Sequence, residues 1–382
     1  MAQIVGDRRD LIELYEAVCA GGYEKLRLEQ RLEPEQNLLK SYLVEVHPGL
    51  ALAGQAGRLH FLNSVLGRLK AEASPTNDAT LFNVQRGNEV YHCDALHHRF
   101  WIFHSSAHAT ATDRFIDDLT RGTTALDLTW FPSEGMEALA RAGEFLGFAS
   151  EYDPRPLFPT DEDGSNERTD GLVISIRRFT GDATVDLAKL RRPDMFLNEI
   201  GLSSIRVRFG DSASTRDFAL TDVTHAGKFT ARGPSFSAHQ ALIGRALSIY
   251  ENAVESIERD LAIRWEQSDR GLRITGSPIG ISFRPYPRFD LFVERLFSGR
   301  RPFRLWGLPV EVDDGQYSVQ ALDLHVGSTL RFDVSNGFIR VYLPEEACGN
   351  TVTRLFTNIQ RHIDSRAVLM VGDRTRAFGF AP

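Results

Sequence analysis

Hydrophobic residues recur at helical spacing in two segments near the start of the chain, residues 8–20 and 57–72. Each segment places its leucines on one face, so we predict two amphipathic helices there. Shorter apolar runs further along predict strands at 81–85, 89–93, 99–104 and 126–131, and helices at 112–120 and 134–146. Because strands and helices alternate, we expect an N-terminal α/β domain over residues 1–150.

The apolar pattern stops between residues 151 and 170 and then resumes as two similar series. The interruption holds three prolines and seven acidic residues, as is typical of a linker. Beyond it, residues 171–270 and 271–382 each predict a strand, a helix, a run of strands and a closing amphipathic helix. The closing helices are predicted at 236–264 and 345–363. We therefore predict that the second half repeats one β-α-β-β-β(-β)-α unit.

Two such units side by side would form an antiparallel sheet with helices on one face, which gives the protein an α+β fold. This element order is similar to that of the TATA-binding-protein-like fold, which also occurs in proteins that bind small molecules or other proteins. The similarity is one of topology, and topology alone does not imply a function.

Arginine recurs on one side of the predicted strands in both units. Side chains alternate between the two faces of a strand. In strand 203–209, Ile205 therefore lies on the face opposite Arg206 and Arg208, and in strand 328–334 Phe332 lies on the face opposite Arg331. The residues assigned to the face turned away from the helices are Arg177, Arg206, Arg208, Arg284, Arg304, Trp306, Arg331, Arg340 and Tyr342. We predict that this face carries a binding site.

The charge of the chain leaves the partner of this face open. The formal net charge is −7, which argues against a general polyanion-binding surface, yet 39 of the 44 basic residues are arginine. That preference follows either from codon composition or from a need for planar, two-pronged contacts with phosphate or carboxylate. Guanidinium groups between aromatic rings suit nucleic acid and equally suit a protein interface. A third interpretation is a solvated polar face without a partner.

We therefore expect a non-catalytic binding or adaptor protein whose partner is nucleic acid or another protein. It would act as a subunit of a larger complex or as a homo-oligomer. No phosphate-loop, dinucleotide or nucleophile-elbow motif occurs, so no cofactor is expected. No run of about 18 apolar residues is present, so no membrane partner is expected. Three widely spaced cysteines favour a reducing cytoplasm.

A cluster of histidines supports the alternative, a metal-dependent hydrolase or nuclease. Five of the eleven histidines lie between residues 92 and 108, and three aspartates follow by residue 118. His104 and His108 are four residues apart, a spacing that lets two side chains on a helix ligate one ion, with Asp113 as a third ligand. The cluster lacks the glutamate of the zincin motif and His104 ends an apolar strand, so a structural role competes with this metal site.

Overall fold

The computed structural model describes residues 3–29, 38–47, 50, 52–152, 172–178, 181–191, 201–211, 213–268, 271–372 and 374–375. Its helices are α1 (Arg8–Glu29), α2 (Gly54–Leu66), α3 (Ala109–Arg121), α4 (Ser133–Ala140), α5 (Thr184–Leu190), α6 (Phe236–Asp260), α7 (Phe289–Leu296) and α8 (Asn350–His362). Within this part of the chain, no helix combines the length and the apolarity needed to cross a bilayer.

The strands of the first half and of the first repeat unit are β1 (Lys40–Val46), β2 (Glu72–Pro75), β3 (Leu81–Arg86), β4 (Glu89–Asp94), β5 (Phe100–Ser105), β6 (Leu126–Leu128), β7 (Glu144–Tyr152), β8 (Leu172–Arg177), β9 (Ser204–Gly210), β10 (Phe218–Thr224) and β11 (Lys228–Ala231). Those that follow are β12 (Arg264–Ser268), β13 (Gly271–Thr275), β14 (Ile279–Ser282), β15 (Leu305–Asp313), β16 (Gln316–Asp323), β17 (Thr329–Ser335), β18 (Phe338–Tyr342), β19 (Val368–Val371) and β20 (Arg374–Thr375).

The first sheet joins the N-terminal region to the first repeat unit. Its strand order is β2-β3-β4-β5-β1-β11-β10-β9-β7-β8, and β6 also pairs with β1. Strand β1 aligns Lys40 with Thr230 of β11, and β7 aligns Phe148 with Ile205 of β9. The backbone hydrogen bonding therefore continues across the boundary expected at residue 150. The expected linker begins inside β7, and its residues 153–170 lie outside the described part of the chain.

The second repeat unit builds a sheet of its own, in the order β15-β16-β17-β18-β14-β19-β20, and β12 and β13 form a separate hairpin. The described strands and helices follow one element order in both units, and the α+β class is confirmed. The expectation of one joint sheet is wrong. The first unit pairs its last strand, β11, with the N-terminal strand β1, so that position beside β11 is not available to the second unit.

The two sheets differ in how many of their faces are covered. In β1 the consecutive residues Leu43 and Val44 point to opposite faces, and both are buried, one in the core shared with α6 and the other in the core that contains Phe115 of α3. At β1, a strand of the N-terminal region, the first sheet is therefore covered on both faces. In the second sheet Phe332 is buried in the shared core, while the opposite face lies open to solvent.

Helix α8 is buried along nearly its whole length although most of its residues are polar. The spacing of Val352, Leu355, Phe356 and Ile359 gives it one apolar face, and all four residues lie in the shared core. Its polar side chains find partners on both sheets. Because buried polar groups are costly unless they are hydrogen-bonded, this helix can sit here only where both sheets supply matching groups.

Candidate functional site

The open face of the second sheet carries a row of exposed apolar side chains along β15. We use the name open face for the exposed or half-exposed residues Trp306, Leu308, Val310, Val312, Arg331, Phe338, Arg340 and Tyr342. Trp306 is 61% exposed, Leu308 77%, Val310 56% and Val312 65%. Side chains two residues apart share a face, so Trp306, Leu308 and Val310 form one continuous row, and Val312 follows them where the pairing of β15 with β16 shifts register. Contiguous exposed apolar surface of this kind makes the row a candidate interaction site.

Cations and aromatic rings lie two and three strands away from this row. Arg331 on β17 stands opposite Tyr342 on β18, with its guanidinium 5.5 Å from the centre of the tyrosine ring. Arg340 stacks in the same way at 5.5 Å from the ring of Phe338. Asp333 accepts a hydrogen bond from the Tyr342 hydroxyl at 2.7 Å. Two guanidinium groups against one carboxylate leave this part of the face with an excess positive charge.

The outer edge of β15 is partly protected against the addition of another strand. Gly307 donates its backbone N–H to Phe297 at 3.0 Å, and Leu305 accepts from Gly299 at 2.7 Å, so these residues direct their backbone groups away from β16. By the alternation of a strand, Pro309 turns its nitrogen to the same side, and proline has no N–H to donate. The edge of β15 therefore offers few free backbone groups, and the side chains of the open face are the more accessible surface.

The structure corrects the predicted arginine face in the first unit, because Arg206 is buried rather than exposed. Its guanidinium donates two hydrogen bonds to Asp222, at 2.6 and 3.0 Å, and Arg232 donates to the same carboxylate at 2.5 Å. Burial by itself would raise the pKa of Asp222, but the two arginines hold it below its ordinary value. Arg206 therefore stabilises the interior of this sheet and is not presented to a partner.

The other arginines predicted in the first unit are also engaged locally. Arg208 lies over the ring of Phe218 at 4.2 Å and donates to the carbonyl of Ser214 at 3.2 Å. Arg177 is exposed and lines a small cavity of about 150 Å³ together with Arg206 and Asp222. Burial of its guanidinium lowers the pKa of Arg177, and the charge of Arg206 lowers it further.

Two arginines predicted in the second unit lie outside its strands. Arg284 follows β14 and pairs with Asp364 at 3.0 Å, with half of its side chain exposed. Arg304 precedes β15 and is buried, which corrects its predicted place on the face. It donates to the carbonyls of Thr123 at 2.8 Å and Leu324 at 3.0 Å and lies 3.1 Å from Asp127. In the second unit, the face arginines that lie on strands are Arg331 and Arg340.

The histidine cluster does not assemble the predicted metal site. His104 is fully buried on β5, where its Nδ1 lies 2.8 Å from the hydroxyl of Ser41. His108 is exposed and its ring accepts a hydrogen bond from the backbone of Thr110 at the start of α3. Asp113 accepts from Tyr42 and from Lys228. Among the described residues, the group whose ligand atoms converge is a different one and contains none of these three.

The buried histidines of this region are held as neutral rings in a hydrogen-bonded network. His239 on α6 contacts Ser41 at 3.0 Å and Thr221 at 3.0 Å, so Ser41 bridges two imidazoles. Burial lowers the pKa of His104 to about 3 and that of His239 to about 3. His92 contacts the hydroxyl of Tyr15 at 2.7 Å, and burial lowers its pKa to about 4. These rings stabilise the interior of the first sheet.

A second polar cluster lies at the N-terminal end of α8 and draws residues from both sheets. Glu45 of β1 is fully buried and accepts from Arg99 at 2.6 Å, and Arg99 also binds Glu258 of α6 at 3.0 and 2.6 Å. Asn350 donates its side-chain amide to Glu45. Burial by itself would raise the pKa of Glu45, but the charge of Arg99 and the contacts with its polar neighbours bring the value down to about 2.

The same end of α8 holds a fully buried arginine between two carboxylates. Arg354 donates to Asp127 of β6 and to Asp323 of β16, so it connects the two sheets directly. Its Nε donates to the carbonyl of Phe303 at 2.7 Å, and Thr351 donates to Asp323. Burial by itself would raise the pKa of Asp127, but the charges of Arg304 and Arg354 hold it below its ordinary range.

An arginine-lined cavity of about 510 Å³ lies where the loop after α3 meets the segment before β15. Its lining residues are Arg121, Gly122, Thr123, Thr124, Gly299, Arg300, Arg301, Arg304 and Leu324. Arg301 binds Asp117 and Thr120, and Arg121 binds Asp117 at 2.5 Å. Four guanidinium groups with two threonines favour an anionic ligand.

Leu308, Val310 and Val312 make up most of the apolar row and were not predicted from the sequence. The signal was present, because Trp306 was assigned to the outer face and residues two, four and six positions later share that face. An apolar alternation is normally assigned to the core. Here the core side of the strand carries Gly307 and Pro309 instead.

These features define an α+β protein with a buried polar helix between two sheets and one open sheet face. A family model described as "MJECL33-like protein" matches residues 1–378, and the chain belongs to this family. It is similar to the uncharacterized protein MJECL33 of Methanocaldococcus jannaschii, with 27% identity over 414 residues that cover 97% of this chain and 96% of the relative. Neither description names an activity, so the function rests on the geometry above.

Proposed function

We propose that this protein is a non-catalytic adaptor that binds a protein partner through the open face of its second sheet. The observation that carries the proposal is the row of exposed side chains from Trp306 to Val312 beside Arg331 and Arg340. Tryptophan, tyrosine and arginine are the residues that contribute most to protein interfaces, and isolated apolar residues on a surface would not form such a row.

The composition of the open face favours a protein over nucleic acid. Phosphate binding needs many cations along the backbone of the ligand, whereas Arg206 and Arg304 of the predicted face are buried in internal ion pairs. The side chains that are exposed instead are mainly the aliphatic ones of the row on β15, and these cannot hydrogen-bond to phosphate oxygens. An aliphatic centre beside a few arginines is the usual composition of a protein interface.

The same geometry specifies the chemistry of the partner. Its surface would present apolar side chains over Leu308 and Val310 and carboxylates over Arg331 and Arg340, because these two guanidinium groups outnumber Asp333. Pro309 disfavours strand addition at the outer edge of β15, so the partner packs face to face. We place this interaction in the cytoplasm, in a larger complex. The three cysteines, all unpaired and buried, support a reducing compartment.

Site-specific photo-cross-linking in the native cell tests this proposal. A benzophenone amino acid replaces Leu308 in the full chain, and the matched control replaces Leu96, which is 68% exposed at a distant position. We expect a covalent protein adduct from position 308 that is absent from position 96. The double variant Arg331→Glu and Arg340→Glu should remove the adduct, because it reverses the charge that the partner carboxylates meet.

Several outcomes would contradict the proposal. They are no adduct at position 308, the same adducts from both positions, and an adduct that consists of nucleic acid. An adduct with a second copy of this chain would replace the adaptor with a homo-oligomer. Circular dichroism of each variant establishes that the fold is kept.

A second candidate function is the binding of a small phosphorylated or carboxylated molecule in the arginine-lined cavity. Four guanidinium groups line it, and Arg300 is exposed at its rim. Calorimetric titration with inorganic pyrophosphate tests this function, using Arg300→Ala against the exposed control Arg216→Ala. We expect binding by the wild type and the control and at least about tenfold weaker binding by Arg300→Ala. Equal affinity in all three proteins, or none in the wild type, excludes it.

A further inference from the structure

Three side chains that commonly bind transition metals converge at the buried end of α8. Glu45, His325 and Cys348 each offer one ligand atom, and these atoms all lie within 4.8 Å of one another. All three residues are fully buried. Glu45 comes from the first sheet, whereas His325 follows β16 and Cys348 precedes α8, so the group lies where the two sheets meet.

The three ligand atoms are close enough to share one ion. Oε2 of Glu45 lies 3.6 Å from His325 Nε2, and the other carboxylate oxygen, Oε1, accepts a hydrogen bond from the Cys348 thiol at 3.4 Å. A hydrogen bond between nitrogen and oxygen is ordinarily no longer than about 3.2 Å. Ligands of one tetrahedral zinc ion, with bonds of about 2.0 to 2.3 Å, are separated by about 3.3 to 3.7 Å. The observed separations match that range.

His325 supplies an independent observation that points to a ligand. Neither of its ring nitrogens has a hydrogen-bond partner among the described residues, although the side chain is fully buried. Buried polar atoms without partners are rare in native proteins and call for an ion, a water or a proton. Asn350, which donates to Glu45, also has a side-chain oxygen without a partner and lies close enough to contribute a fourth ligand directly or through water.

The charges around this point favour a divalent cation. Four buried or half-buried carboxylates meet three guanidinium groups in the connected cluster, and the members are Glu45, Asp127, Glu258, Asp323, Arg99, Arg304 and Arg354. One negative charge is left over while His325 and Cys348 are neutral. A divalent ion bound to a Cys348 thiolate and a neutral imidazole brings the cluster to zero.

We propose that Glu45, His325 and Cys348 form a structural zinc site that fastens the two sheets together at α8. Binding replaces the thiol proton of Cys348 with the metal, and that proton is released to solvent. Arg99 donates to the sulfur of Cys348 at 3.3 Å and also to both oxygens of Glu258. The negative charge of Glu258 therefore offsets the repulsion between the Arg99 guanidinium and the metal ion.

Metal analysis of the full chain, produced without a histidine tag and equilibrated with Zn²⁺ before gel filtration, tests the site. We expect about one equivalent of zinc per chain. Cys348→Ser and His325→Gln should lose most of it, whereas Cys19→Ser, which changes another buried free cysteine, should keep it. A wild-type chain without metal, or full zinc content in Cys348→Ser, overturns the proposal.

Cobalt substitution keeps the test decisive if the variants fail to fold. Co²⁺ bound to a thiolate gives an intense near-ultraviolet charge-transfer band, which we expect in the wild type and in Cys19→Ser. A cobalt-loaded wild type without that band overturns the proposal.

Discussion

The two repeat units share one order of strands and helices but use their arginines in opposite ways. In the first unit Arg206 is buried and donates hydrogen bonds to Asp222 on the neighbouring strand. In the second unit Arg331 and Arg340 stand in solvent above aromatic rings. The first unit pairs with the N-terminal strand β1 in one sheet, where Asp222 lies opposite Arg206, whereas the second unit builds a separate sheet with one bare face.

This comparison shows that strand alternation assigns a side chain to a face but does not say what covers that face. An arginine on a covered face must find a carboxylate, because an unpaired buried charge is costly. An arginine on a bare face is free of that constraint and can serve a partner. The predictions below test this contrast between the interior of the first sheet and the surface of the second.

The largest expected effect is a loss of stability in acid that originates in the first sheet. The pKa values of His92, His104 and His239 are lowered to about 4, 3 and 3, against about 6.5 in the unfolded chain. The unfolded chain takes up these protons as the pH falls through about 6.5, and the folded chain does not. Their contribution is therefore complete above that pH and is lost as the pH falls to about 4 for His92 and to about 3 for His104 and His239. The loss is about 1.4 kcal/mol per pH unit for each ring.

Denaturant unfolding at a series of pH values measures this slope. The partners that face the rings are uncharged, namely Tyr15, Ser41 and Thr221. His239→Gln should reduce the slope by about 1.4 kcal/mol per pH unit, whatever it does to stability at neutral pH. His98→Asn, at an exposed position, should leave the slope unchanged. A slope that is the same in all three proteins would refute the neutral state of His239.

The next effect concerns the arginine that joins the two sheets. Arg354→Met should lower the free energy of unfolding by about 3–5 kcal/mol, because Asp127 and Asp323 then remain buried without their shared cation. The matched substitution Arg331→Met on the open face should change it by less than about 0.5 kcal/mol. Chemical denaturation at neutral pH measures both. Equal effects of the two substitutions would contradict the contrast between buried and exposed arginines.

The smallest effect compares equivalent arginines of the two units. Arg206→Met should destabilise the protein by about 1–3 kcal/mol, less than Arg354→Met, because Asp222 keeps its second partner Arg232 at 2.5 Å. Arg340→Met should be neutral within about 0.5 kcal/mol. The same unfolding measurement decides the comparison. A destabilising Arg340→Met together with a neutral Arg206→Met would reverse the assignment of the two faces.

Much of the architecture could be predicted from local sequence, and the failures have a common cause. The helices near residues 236–260 and 350–362 and the strands of both units follow from apolar periodicity. Strand β1 was missed although it lies at the centre of the first sheet, because Lys40, Ser41 and Glu45 interrupt its apolar pattern. All three are buried, and each is satisfied by residues distant in sequence, such as Arg99.

The candidate sites could be predicted only in part for the same reason. Period-two alternation placed Trp306, Arg331, Arg340 and Tyr342 on the open face from sequence alone. It could not show that Arg206 and Arg304 are buried while these residues are exposed, because other segments of the chain decide which part of a face is buried. The convergence of Glu45, His325 and Cys348 leaves no local signal at all, because Glu45 is hundreds of positions from the other two and a whole run of strands separates His325 from Cys348.

The sequence by itself determined the α+β class, the repeated order of elements and the face of each strand on which an arginine lies, because these depend on periodicity within short segments. Only the tertiary structure decided which sheet each unit joins, which arginines are buried and which polar groups meet around α8. Those outcomes depend on contacts between distant segments, where the cost of an unpaired buried charge selects the partner.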